Sequence, residues 1–378
     1  MAFSVEYESQ ACNQASSYSV KCPKKHQLVF STCLVIILVG GRGFSLAWMI
    51  DGTYPLSAFL LDALALGLVL LALRVFDGVL RWCLEKLVRP DVKWRQMIMQ
   101  VSRLAIVIMI LVPFLIMTLS IHPQRVRCRL TPSRFGLVYE DVFVESDGLR
   151  LHAWYIPGRN ETGPVVLVAH GLGANKQNFL VHALDLNTIG YPVMIFDFRA
   201  HGDSEGYTTS FGIREAEDVK AAHDWLVNRH PQRPVCALGY SMGGAAVARA
   251  VQKYQIFDKI ILDSTFSSAH RVAHVHYLRF FGPLEPLAWA QGRFWCWLWT
   301  GADLAENSPA SYAGSLMNKS VMLIHGKADS IIPYTESIRL HEALEGRPEL
   351  WIVHEANHME AYMDASYFSR VQSFLESE

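Results

Sequence analysis

The chain has 378 residues, of which 51% are apolar and 18% charged, and a formal net charge of −1. The charged fraction is well under that of an ordinary soluble domain, and the mean hydropathy is positive. This excludes a disordered chain and an overall nucleic-acid footprint, and it argues against a wholly water-soluble protein. The average hides a split. Residues 1–130 carry 14 Lys/Arg against 7 Asp/Glu, and residues 131–378 carry 20 against 28.

The first 27 residues form a polar tail. Three apolar stretches follow, at about 28–50, 52–73 and 104–121. The last, Leu104 to Ile121, runs 18 residues without a charge. That is the length of a spanning helix. Pro113 inside it breaks a soluble helix but is tolerated in a bilayer. No polar face recurs there at helical period, so a buried hairpin of a soluble domain fits poorly. The second stretch carries one charge, Asp62, and the first is interrupted by Arg42 among Gly40, Gly41 and Gly43. A cleaved signal peptide fits the first stretch poorly, because a long polar tail precedes it and no small-residue cleavage pattern follows. The reading is a multi-pass membrane region of three helices, partnered by the lipid bilayer.

Lys and Arg in the flanks set the orientation. Ten lie in the tail and in the loop after the second stretch (Lys21, Lys24, Lys25, Arg74, Arg81, Lys86, Arg89, Lys93, Arg95 and Arg103). Five lie on the other side (Arg42, Arg125, Arg127, Arg129 and Arg134). This places the amino terminus in the cytoplasm. After three spans, everything beyond the linker at 122–137 lies on the extracytoplasmic side. Seven cysteines at 12, 22, 33, 83, 128, 236 and 296 include no C-x-x-C pair. An odd, scattered set reads as free thiols rather than a disulfide framework.

From Val138 the pattern changes. Val138–Val144 and Leu149–Ile156 read as strands joined at Asp147-Gly148. Short apolar runs follow at Val165–Ala169, Val193–Phe196, Val235–Leu238, Ile260–Leu262, Val321–Ile324 and Leu350–Val353. They suit strands buried on both faces of a parallel sheet. Ile213–Asn228, Met242–Tyr254 and Tyr362–Glu376 read as helices between or after them. Alternation of this kind predicts an open α/β sheet built of right-handed units over residues 138–378. In such sheets, chemistry gathers at the carboxyl ends of the strands.

Four of those ends carry residues that can do chemistry together. Gly239-Tyr240-Ser241-Met242-Gly243 lies between a strand and a helix, the pattern of a sharp turn that exposes a serine hydroxyl. His170-Gly171-Leu172-Gly173 follows another strand. The backbone N–H groups of Leu172 and Met242 are the candidate oxyanion hole. Serine needs a base, and His358 follows the Leu350–Val353 strand. The base needs an orienting acid, and Asp329 follows the Val321–Ile324 strand. Asp263 is an alternative acid, or a cap for the segment after it.

Residues 138–376 resemble an α/β-hydrolase domain of the serine-aminopeptidase-like and monoacylglycerol-lipase-like branch. The matching motifs are His170–Gly173, Asp197-Phe198-Arg199-Ala200-His201-Gly202-Asp203-Ser204-Glu205-Gly206, Gly239–Gly243, His325-Gly326-Lys327-Ala328-Asp329 and Asn357-His358. Ala200 stands where that family usually has glycine. The resemblance implies a hydrolase of esters, thioesters or amides that uses no metal or organic cofactor. It also implies that residues 265–319, with four tryptophans in 289–299, form a cap over the site. Such a cap suits a small-molecule or lipid-like acyl substrate; plain packing of helices onto the sheet is the other reading.

Two rival functions stand beside this one. His354-Glu355-Ala356-Asn357-His358 spells the H-E-x-x-H of zinc proteases, which needs both histidines on one helical face. The run Leu350–Val353 instead puts His354 at a strand end. The other rival is a hydrolase fold kept as a catalytically silent membrane scaffold. Such a scaffold has no need for the serine, histidine, aspartate and glycine turn together.

Overall fold

Strands buried on both faces need cover on both sides, and the chain supplies it with helices that alternate with the strands. The structure is a computed structural model that describes residues 56–87 and 94–377. The expected apolar stretch at 28–50 lies outside the described residues. Eight strands form one sheet: β1 (Glu140–Ser146), β2 (Leu149–Ile156), β3 (Val165–Ala169), β4 (Val193–Phe196), β5 (Val235–Tyr240), β6 (Lys259–Asp263), β7 (Ser320–Gly326) and β8 (Glu349–Val353). Their order is β1-β2-β4-β3-β5-β6-β7-β8. β2 pairs antiparallel with β1 and β4, and all other pairs are parallel. Asp147 and Gly148, at φ 48° and 74°, close the first hairpin as expected.

The helices are α1 (Leu56–Leu87), α2 (Arg95–Ile121), α3 (Leu180–Ile189), α4 (Glu215–Arg229), α5 (Met242–Tyr254), α6 (Ala269–Phe281), α7 (Glu285–Thr300), α8 (Thr335–Ala343) and α9 (Tyr367–Glu376), besides shorter turns. Side chains alternate across a strand. Val165, Leu167 and Ala169 of β3 therefore join one core layer with α4 and α5, while Val166 and Val168 join the other with α3 and α9.

Several bounds depart from expectation for local reasons. β1 begins at Glu140, leaving Val138 exposed. α4 begins at Glu215 rather than Ile213, because the Glu215 carboxylate accepts from the N–H groups of Ser210 and Gly212 at 2.9 and 2.7 Å. α9 begins at Tyr367 rather than Tyr362, because Asp364 accepts from Ser366 N–H at 2.9 Å and breaks the run.

The largest departure is in α1. Its apolar stretch ends at Leu73, yet the helix continues to Leu87. Arg74, Arg81 and Lys86, expected in a loop, are helical. Asp77 accounts for this: its carboxylate pairs with Arg81 one turn on at 2.8 Å and with Arg103 of α2 at 2.5 Å. Charges that look like loop signals thus face each other across two helices. Within α1 and α2, Ala63–Cys83 and Met97–Ile121 are long and apolar enough to cross a membrane.

Pro113 lies inside α2. It has no N–H, so the carbonyl of Met109 four residues back loses its helical donor. Gln291 of α7 supplies one, with Nε2 3.0 Å from Met109 O. Gly292 leaves room on α7 for Tyr277 of α6, since a Cβ there would lie 2.7 Å from Tyr277 Oη, and Met117 of α2 packs beside it, with Cε 3.2 Å from that Cβ position. Phe114 packs edge-on against Trp295 at 5.1 Å. The two leading helices and the sheet domain therefore form one compact unit from Leu56 onward. Gln291→Leu keeps the volume but leaves the Met109 carbonyl buried without a donor. It is expected to cost about 1–3 kcal/mol, read as a lower Tm of the detergent-solubilised protein. An unchanged Tm would mean the carbonyl finds another donor.

Candidate active site

β5 ends in a turn that only small neighbours permit. Ser241 has φ 53° and ψ −116°, a strained conformation for a residue with a side chain. A Cβ on Gly239 would lie 2.6 Å from Gly244 Cα, and one on Gly243 would lie 2.3 Å from Ala169 O. Both glycines are needed for close approach. The turn is anchored by Ser241 N–H, which donates to Asp263 O at 2.8 Å. Ser241 is nearly buried, and α5 starts at the next residue.

The expected partners converge on it. His358 Nε2 lies 3.0 Å from Ser241 Oγ, and His358 Nδ1 lies 2.7 Å from Asp329 Oδ2. A carboxylate can only accept, so the Nδ1–H donates to Asp329 and Nε2 is free to accept from the serine. Asp329 is fully buried at its side chain. Burial alone raises its pKa, but hydrogen bonds from His325 and His358 outweigh that and hold the carboxyl well below the usual range. The N–H groups of Ile331 and Ile332 bond Oδ1 at 2.9 and 2.8 Å.

The glycine-rich loop also arrives as expected. A Cβ on Gly171 would lie 3.3 Å from Ser241 Cβ. Ala174 N–H closes the turn onto Gly171 O at 3.2 Å, with Leu172 at its exposed tip. Met242 is the first residue of α5, where backbone N–H groups have no helical acceptor. Two buried histidines set this loop. His201 Nε2 accepts from Gly173 N–H at 3.2 Å, and its Nδ1–H donates to Arg199 O at 2.8 Å. His170 Nδ1–H donates to Gly171 O at 2.7 Å, and its Nε2 accepts from Phe198 N–H at 3.0 Å. Burial lowers the pKa of both, which matches the one-donor, one-acceptor pattern of neutral rings. Ala200, the departure from the family motif, has φ 63°, which explains why glycine is usual there.

Asp263 does not hold His358. Its carboxylate accepts from Ser264 Oγ at 2.8 Å and from Tyr367 Oη at 2.9 Å, and it caps no helix. Ser264 Oγ in turn accepts from Met359 N–H at 3.1 Å, beside His358. Burial raises the Asp263 pKa to about 6. The folded state therefore favours its protonated form. Between about pH 4 and pH 6 this group costs stability on the order of 3 kcal/mol as pH rises. Asp329 acts in the opposite sense and in a lower window: its stabilisation is present above about pH 4 and is lost as the pH falls. Asp263→Asn is expected to flatten the Tm profile between pH 4 and 7; a profile parallel to wild type would contradict this.

Sequence reasoning missed His325, Ser264, Tyr367 and Lys176. His325, next to last in β7, bridges Asp329 (3.2 Å) and Ser337 (2.6 Å). Cys128, Asp197 and Asp203 present ligand atoms within 4.8 Å of one another. Lys176 Nζ lies among them, 2.5 Å from Asp197, 2.7 Å from Asp203 and 3.4 Å from Cys128 Sγ. Burial pushes the Cys128 thiol up to about 12, so it stays protonated. The ammonium is the cation this cluster holds. The H-E-x-x-H residues lie past the end of β8 in non-helical backbone. His354 is exposed, and His358 is engaged with Ser241 and Asp329.

The leading helices reach this region. Ile121 O, at the end of α2, accepts from Thr209 N–H at 2.8 Å, and Thr209 Oγ1 lies 3.4 Å from Met242 Sδ. Just beyond, Val126 O accepts from Asn175 Nδ2 at 2.8 Å.

A family model described as serine aminopeptidase, S33, matches residues 160–313. An uncharacterized protein of Mycobacterium tuberculosis is 31% identical over 218 residues, covering 56% of this chain and 69% of its own. A Saccharomyces cerevisiae protein described as an uncharacterized membrane protein is 23% identical over 248 residues, covering 65% and 82%. Among solved structures, a Pyrococcus furiosus esterase superposes with a TM-score of 0.55 at 25% identity, over 68% of this chain and 98% of that one. With the sheet order and the nucleophile turn, these matches define a hydrolase. The chain belongs to the α/β-hydrolase superfamily.

Proposed function

We propose that the chain is a membrane-anchored serine hydrolase that cleaves ester, thioester or amide bonds, with esters as its main class. The observation that carries this reading is the unbroken hydrogen-bonded line from Ser241 through His358 to Asp329. Ser241 Oγ attacks the acyl carbonyl carbon as His358 Nε2 takes its proton. The N–H groups of Leu172 and Met242 stabilise the oxyanion, at about 3–4 kcal/mol per donor. His358 then protonates the leaving group, and the acyl-enzyme remains. Water, deprotonated by His358, releases the acid and restores Ser241. Asp329 keeps the His358 tautomer and steadies its cationic form.

Two apolar helices and a yeast relative described as a membrane protein support membrane association. The Lys/Arg distribution favours a cytoplasmic amino terminus and, with three spans, an extracytoplasmic hydrolase domain. The α6–α7 hairpin acts as the cap. It is held to the acid loop by His276 Nε2, 2.9 Å from Ile331 O. The test is labelling with a fluorophosphonate probe in intact and opened cells. Labelling that vanishes in Ser241→Ala supports the reading, and its dependence on opening reports the side. Persistent labelling of Ser241→Ala would overturn the assignment. No labelling and no hydrolysis across an ester panel would favour the silent scaffold.

A further inference from the structure

We infer that the α6–α7 hairpin lies in the hydrocarbon of the bilayer beside α1 and α2, and that lipid acyl chains cover its outer face. This rests on the membrane reading of α1 and α2 given above. The first observation is geometric. α7 runs along α2 in the same direction: Gln291 meets Met109, Trp295 meets Phe114, and Trp299 lies 5.9 Å from His122. These contacts span the second half of the apolar segment Met97–Ile121. Wherever that half of α2 sits, α7 sits too. About 18 Å of helix separates Met109 from Ile121, so the hairpin reaches well into a hydrocarbon core of about 30 Å.

The second observation is the composition of the exposed face. Leu278, Phe280, Leu284, Leu287, Phe294 and Trp297 are 45–60% exposed. Between 278 and 297 the one exposed charge is Arg279, whose long stem can carry its head toward the interface. Arg293 is half-buried and paired with Asp303 at 2.9 Å. A contiguous apolar face of this kind marks a site that water does not cover. α2 exposes apolar residues of its own, Val101, Leu104 and Ile108.

The third observation is an open groove of about 610 Å³ between α1, α2 and α7. Val69, Phe76, Ile106, Met109, Leu287 and Phe294 line it. Of its two polar side chains, Gln291 is already committed to the Met109 carbonyl, and the Trp295 indole N–H is buried in the wall. A groove lined almost wholly by apolar side chains suits a hydrocarbon chain. Acyl chains of the surrounding lipid are its occupant, and they pass directly to the hairpin that caps the serine.

The experiment places p-benzoylphenylalanine singly at Leu287, Leu104 and Val227 of the full chain. Val227 is exposed on α4, away from the hairpin. Each protein is irradiated in phosphatidylcholine vesicles, and its peptides are weighed by mass spectrometry. The expected result is a mass gain of one lipid at 287 and at 104, and none at 227. Adducts at 104 alone would overturn the inference and leave the membrane reading standing. Cross-links from 287 to a second copy of the chain, or equal lipid adducts at 227, would also overturn it. Lipid at neither 104 nor 287 would remove the membrane reading and the inference together.

Discussion

Ser241→Ala is expected to lower kcat for a soluble ester about a million-fold, and adding His358→Ala to lower it no further. The size follows from the two side chains acting as one device: a serine without its base, or a base without its serine, performs no step of acyl transfer. The 3.0 Å contact between Oγ and Nε2 is the physical basis of that coupling. The residual rate expected of the proposed oxyanion donors at Leu172 and Met242 should remain, since they are backbone groups and survive both substitutions. Steady-state kinetics on the two single variants and the double variant checks this, with Tm confirming that each is folded. A double variant much slower than either single one would show that the residues act independently. A Ser241→Ala protein with near-native kcat would mean that another nucleophile does the work.

Asp329→Asn is expected to lower kcat about ten-thousand-fold, while Asp263→Asn should leave it close to wild type. An amide at 329 presents a donor where His358 Nδ1–H needs an acceptor, and so favours the wrong imidazole tautomer. It also weakens the balance at His325, which shares the same carboxylate oxygen at 3.2 Å. The kinetic loss should therefore come with a measurable fall in Tm. At Asp263 the partners are Ser264 and Tyr367, neither of which touches substrate-facing atoms of His358. If instead Asp263→Asn carried the large loss and Asp329→Asn the small one, the acid would sit at the end of β6. The two variants share no hydrogen-bond partner, so their effects can be separated.

Much of the sheet was legible because its strands are short apolar runs with no helical period. β2, β3 and β4 begin and end where the composition changes. The serine turn, the histidine and the aspartate were legible because each follows such a run. What escaped notice depends on contacts distant in sequence. His325 stands in a motif, but its partners Ser337 and Asp329 meet it only once β7 and α8 pack. Tyr367 reaches Asp263 from 104 positions away. α6 and α7 were not placed one by one within 265–319, because histidines, arginines and tryptophans crowd them without a clean polar face. The end of α1 was misplaced because Asp77, Arg81 and Arg103 read singly as water-facing charges. Their pairing across two helices is a tertiary fact.

The hydrogen bond from Gln291 into the gap left by Pro113 bears on how this protein could be taken apart or rebuilt. A membrane anchor joined only by a linker is interchangeable, and any helix of similar hydropathy can replace it. Here α2 carries a vacancy in its own backbone ladder that the hydrolase domain fills, and its last carbonyl is fastened to Thr209 beside Met242. A graft of an unrelated apolar helix without a proline at that position would fill its own backbone ladder and lose the bond to Gln291, while the terminal carbonyl could still meet Thr209. A fragment cut after Ile121 would bare the aromatic face that Phe114 now covers. The helix is thus built into the packing of the sheet domain rather than strung from it.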